Sequence, residues 1–141
     1  MATPVALVGT PAARLVRPVR WGALLVAGTV AAVGVGLALG DPASLLERDR
    51  ELATLLRGMA AIKALLVAVA MVAVVWRLRR PASVPLALGY LAGVWAMAAA
   101  TASIWQLTTI AAAAALFHAG EFALLLLAWR DGLWARARRR R

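Results

Sequence analysis

Five side chains place a polar group inside long apolar surroundings: Lys63, Thr101, His118, Glu121 and Thr29. An ionisable group at the centre of a membrane-spanning helix costs about 2.5–3.5 kcal/mol on insertion scales, so a residue kept there is a functional candidate and its depth decides how strong a one. His118 and Glu121 are three residues apart, on one face of a helix, near the middle of their apolar run. A glutamate at that depth must be protonated, paired or turned toward a wet cavity. Lys63 lies only about six residues inside its run, within snorkelling reach of the interface, so an anchoring role competes with a functional one. By depth, Lys63 and Thr101 come first, His118 and Thr29 next, and Glu121 last. A half-channel admitting protons or a cation from the outer face would show this order. The competing reading has His118 bonded to Glu121 or a nearby threonine, fixing the bundle and nothing more.

Other chemistry finds less support. The chain has no cysteine, which removes disulfides, thiolate catalysis, iron–sulfur clusters and cysteine zinc sites. Its single histidine could supply haem ligands only if two copies shared His118, and His118 with Glu121 is too small a set for a metal outside such a dimer. No glycine-rich phosphate loop, Ser–His–Asp set or paired catalytic carboxylates occur. No cofactor, metal or catalytic residue is therefore expected, and the chain reads as a non-enzyme.

The elements that must carry these groups follow from composition. Hydrophobic residues make up 64% and charged residues 16% of 141, a balance that a small soluble core could not hide. The apolar residues come in blocks of about twenty, the length that crosses a ~30 Å hydrocarbon layer. This predicts an all-α polytopic membrane protein, a four-helix transmembrane bundle with spans at about 21–39, 59–76, 85–105 and 109–129. The near-continuous apolar stretch from Leu86 to Trp129 is about twice the needed length, so it is divided at Gln106, Thr108 and Thr109, where no glycine or proline marks the turn. The first span is longer than the core of a signal peptide and is expected to be retained. In the 40–58 connection, Asp41 as a cap, Pro42 at the first helical position and a leucine face of Leu45, Leu52, Leu55 and Leu56 predict a short interfacial helix between spans 1 and 2.

Charge orients the spans. The net charge of +10 is concentrated at the ends of the apolar blocks, not on one face of a domain, which argues for membrane topology and against nucleic acid. Twelve arginines fall on the side holding the 1–20 tail, the 77–80 loop and the 130–141 tail, against three on the other, offset there by four acids. The positive-inside rule then puts both termini in the cytoplasm, and the density of alanine, glycine and arginine, all encoded by GC-rich codons, points to a bacterial inner membrane as the setting. Trp21, Trp76 and Trp129 at one end and Trp105 at the other fit the interfacial belts, with Trp95 left mid-span as a packing residue. The terminal run Arg136, Arg138, Arg139, Arg140 and Arg141 is expected to touch anionic headgroups.

Association in lipid depends on close backbone approach. Gly28, Ala32, Gly36 and Gly40 form one stripe at four-residue spacing, and Gly89 with Gly93 another, both expected to be helix contact faces within the bundle or between copies. The function that fits best is an accessory or scaffolding unit, with the bilayer and a membrane protein or second copy as partners. The alternative is a small proton- or cation-coupled transporter or channel using Glu121, His118 and Lys63. A ligand-sized or wet cavity reaching Glu121 would distinguish the two.

Overall fold

The computed structural model describes residues 18–38 and 49–139, with side chains for 20–38 and 49–132. The described residues form helices α1 (Pro18–Ala38), α2 (Arg50–Leu78), α3 (Val84–Trp105) and α4 (Ile110–Arg139). Each holds a stretch long and apolar enough to cross a membrane: Arg20–Ala38, Arg50–Leu78, Val84–Trp105 and Ile110–Gly132. The fold is all-α.

The second helix starts earlier than the sequence suggests. Asp49 is its cap, with its carboxylate accepting from the Leu52 backbone N–H at 3.0 Å, and Glu51 in the first turn suits the positive end of the helix dipole. Residues 50–57, expected in a separate interfacial helix, instead run unbroken into the span. No proline interrupts them, and Gly58 alone is too weak a breaker. The rest of that expected helix, Gly40 and the proposed cap at Asp41 lie outside the described residues. At 29 residues, α2 is about 43 Å long, more than a ~30 Å hydrocarbon layer requires, so in a bilayer the helix would have to tilt or project at its Arg50 end.

The helices do not close into a ring. Half of the apolar window of α3 is buried, against 17–22% in the other three. Among the described residues α3 packs on all three neighbours, α1 meets α2 only narrowly, and the backbones of α2 and α4 never come within 8 Å at Cα. Composition explains the central place of α3: Ala87, Gly93, Ala98, Ala100 and Ala102 are buried and small, so neighbours can approach it from several directions.

The seams are periodic. Ala53, Ala60, Val67 and Val74 of α2 are buried at steps of seven, a narrow line of the coiled-coil type. On α4, Ala113, Phe117 and Gly120 are buried and Leu124 and Leu127 half-buried, alternating steps of four and three. Where α4 crosses α3, a Cβ on Gly120 would lie 2.8 Å from the Gly93 carbonyl oxygen, and one on Gly93 would lie 2.8 Å from Leu124. Gly89 faces Leu127. On the other side of α3, Gly28 receives the Trp95 ring and Gly36 lies against Ala102 and the Ala99 carbonyl. The Trp95 indole N–H donates to the Leu25 carbonyl at 3.3 Å, and that oxygen also accepts from the Thr29 hydroxyl at 2.8 Å.

The turn between α3 and α4 is made without glycine. The Thr108 N–H donates to the Ser103 carbonyl at 3.1 Å and the Leu107 N–H to that of Ile104 at 2.9 Å, the pairing of a Schellman cap. Leu107 takes the left-handed position with φ 60° and Thr109 follows at φ 42°, an uncommon backbone state for a β-branched residue. Leu107 is 5% exposed. Its burial offsets the backbone cost, which explains why the turn has no glycine to announce it.

Candidate functional site

Because α2 and α4 lean on α3 with their backbones held apart, a groove of about 710 Å³ runs between them, floored by Tyr90 and Met97 of α3. Two cation contacts frame it. Near the N-terminal ends of both walls, the Lys63 ammonium of α2 sits 3.8 Å from the centroid of the Phe117 ring of α4. At the other end the Arg77 guanidinium grips the Asp131 carboxylate with two bonds, Nε to Oδ2 and Nη2 to Oδ1, the second at 2.9 Å. The two contacts are fourteen residues apart on each helix, or about 21 Å. Helices packed along a seven-residue repeat return to the same mutual facing every fourteen residues. The matched spacing therefore joins the same two faces twice.

Glu121 lines this groove, at the middle of the apolar window Ile110–Gly132. It stands next to the buried Gly120 in the α4 seam, and its position one step off the seam turns it toward α2. His118 Nδ1 and Glu121 Oε2 share a hydrogen bond at 3.1 Å, while the His118 side chain is 54% exposed and faces away from the packed core. The walls around Glu121 are apolar, including Leu66, Val69, Leu124 and Leu125.

Thr29 and Thr101 lie elsewhere. They line a second groove of about 540 Å³, between α1 and α2 on the opposite flank of α3, with Ala60, Ala64 and Ala68 on its wall. The Thr101 hydroxyl donates to the Met97 carbonyl at 2.8 Å, as Thr29 does to Leu25, and Ser103 donates to Ala99 at 3.0 Å. These hydroxyls are satisfied by their own helices. Of the five polar residues, Glu121 alone lines the α2–α4 groove; His118 is bonded to it from the exposed side, Lys63 stands beyond the groove's end against Phe117, and the two threonines line the opposite groove. α4 carries the backbone of Arg136, Arg138 and Arg139, whose side chains, like Arg140 and Arg141 altogether, lie outside the described residues.

Three contributors to the groove do not stand out in the sequence. Asp131 is the acid amid the arginines of the last segment, and the signal that pairs it with the 77–80 loop is only that both lie at the same end of their spans. Gly120 completes the Ala113, Phe117 seam. Tyr90 is 4% exposed on the groove floor and carries no sequence signal. Among the described residues no three histidine, aspartate or glutamate side chains converge as a metal site would need. No protein-family model, curated protein or solved structure matches the chain.

Proposed function

We propose that this protein is a non-enzymatic accessory or scaffolding unit of a bacterial inner membrane, with both termini cytoplasmic, working through contacts with lipid and with a membrane protein or a second copy, and not with nucleic acid. The observation that carries the reading is the separation of its polar groups. Thr29 and Thr101 spend their hydroxyls on their own helices in one groove, and Glu121 lines another whose other walls at that level are apolar. A relay for protons or cations needs such groups in sequence along one path. Meanwhile α1, α2 and α4 leave large apolar side chains exposed, Val30, Leu65, Val72 and Phe122 among them, as lipid or partner helices require.

One observation favours the transporter: Glu121 does line a groove of ligand size, at mid-span. Proteoliposomes separate the two readings. The accessory reading expects proton and monovalent-cation flux equal to that of protein-free vesicles, for wild type and Glu121→Gln alike. Flux above that baseline, abolished by Glu121→Gln, would establish the transporter instead.

A further inference from the structure

The groove between α2 and α4 is built like a berth for one lipid. We propose that it binds a single anionic phospholipid, with the phosphate at Arg77 and Arg80 and one acyl chain running between the helices toward Glu121. The site does not depend on the accessory reading.

Three observations point to this occupant. The first is an unspent donor. Arg77 commits Nε and Nη2 to Asp131, while its Nη1 is buried with no protein partner. A buried donor left unsatisfied is costly, and a phosphate oxygen, a strong acceptor for a guanidinium, reaches it after a small shift of the Arg77 side chain, which keeps 21% exposure. The second is the charge at that mouth. Asp131 is matched by Arg77, and Arg80 adds a further positive charge to the rim, its guanidinium 4.7 Å from the ring of Trp76, which also lines the groove. Arg79 and Arg130 are exposed nearby in sequence. The third is depth. From Arg77 to Leu66 the α2 wall runs eleven residues, about 16 Å, or half of a ~30 Å hydrocarbon layer. That is the reach of an acyl chain in one leaflet, and the wall between is apolar: Val69, Ala70, Ala73 and Val74. The groove ends where the chain ends.

Two variants test it without touching the Arg77–Asp131 clasp. Arg80→Gln removes a headgroup contact at an exposed position, and Ala128→Trp fills the groove while keeping every arginine. The full chain, purified in a mild non-ionic detergent and delipidated, would be titrated with dioleoyl phosphatidylglycerol, dioleoyl phosphatidylcholine or glycerol phosphate and followed by native mass spectrometry. The expected result is one phosphatidylglycerol per chain, bound at least tenfold more tightly than phosphatidylcholine, with glycerol phosphate not retained. Binding should weaken at least fivefold in Arg80→Gln and at least tenfold in Ala128→Trp, with both variants keeping wild-type helicity by circular dichroism. Equal retention of the two lipids overturns the proposal. So does phosphatidylglycerol binding intact in Ala128→Trp, which would place the lipid on the arginine-rich surface, and so does capture of glycerol phosphate as tight as that of the lipid. If Ala128→Trp loses helicity, Ala73→Trp fills the same groove from the α2 wall and is held to the same outcomes.

Discussion

Two glycines on α1, two residues apart, should respond in opposite ways to the same substitution. A Cβ on Gly36 would lie 2.6 Å from the Ala102 Cβ and 2.7 Å from the Ala99 carbonyl oxygen, whereas one on Gly34 would meet nothing within 4 Å. Neither Ala102 nor a backbone carbonyl has a rotamer to give, so relief requires α1 to back away from α3 by about 1 Å to regain ordinary carbon–carbon separation. Overpacking of this kind costs about 1–3 kcal/mol. Alanine gains about 0.8–1.0 kcal/mol over glycine as a helix former, but that gain is common to both positions and cancels in their difference. Gly36→Ala should therefore be less stable than Gly34→Ala by about 1–3 kcal/mol, with Gly34→Ala at or above wild type. Reversible unfolding in mixed micelles, followed by helical circular dichroism, measures the gap. Adding Ala102→Gly to Gly36→Ala removes the 2.6 Å contact and should recover part of the loss, although the same change in the wild-type chain only weakens packing. Equal stability of the two single variants, or no recovery in the double, would refute the packing argument.

Gly120→Ala drives a Cβ to 2.8 Å from the Gly93 carbonyl oxygen and should cost about 1–3 kcal/mol in the same assay, more than Gly132→Ala, where the space is open. Arg77→Gln and Asp131→Asn should each destabilise by about 1.5–3 kcal/mol, nearer the lower figure because both side chains keep 21% exposure. Combining them should cost less than the sum, and strict additivity would mean that the pair contributes nothing. Thr109→Gly removes a β-branched side chain from an exposed position at φ 42° and should stabilise the turn by about 1 kcal/mol, seen as a raised micellar unfolding midpoint; a lowered midpoint would show that the threonine is held there by a favourable contact. Trp95→Phe removes the bond to the Leu25 carbonyl and should cost roughly 0.6 kcal/mol, the average of interhelical hydrogen bonds in membranes.

The four apolar runs are legible in the sequence because the bilayer imposes a length: about twenty consecutive residues with almost no charge match the thickness of its hydrocarbon layer and exceed what a small soluble core can bury. The reversal near Gln106 is legible as a polar interruption, but its geometry is not. A cap built on Leu107 carries no composition signal, since its backbone cost is met by tertiary burial. The start of α2 is hidden for a similar reason. Arg50 to Arg57 look like a surface helix when charge is counted, yet a helix continues until something stops it, and the capping aspartate is Asp49, with Asp41 outside the described residues. Polarity marks where the membrane ends, and capping marks where the helix ends.

The polar residues show a different limit. Depth along a helix follows from counting at about 1.5 Å per residue, but which way a side chain points depends on which face packs, and that is settled by the neighbours. Ordered by depth alone, Lys63, Thr101, His118, Thr29 and Glu121 form a series. Once the seam Ala113, Phe117, Gly120 fixes the rotation of α4, Glu121 faces α2 while Thr101 faces the opposite groove. The Lys63–Phe117 and Arg77–Asp131 contacts carry the missing rotational information, because both recur at fourteen residues on both helices. Equal spacing on two chains of hydrophobic heptads is detectable in the sequence itself, provided that the acid near the end of the last span is read as a partner for the basic loop and not merely as one negative charge among many positive ones. What the spacing does not reveal is the gap between the two contacts. That gap exists because α3 occupies the centre, and α3 takes the centre because small residues line several of its faces, so the groove that receives Glu121 follows from the alanines and glycines of a helix that itself contributes only Tyr90 and Met97 to the lining.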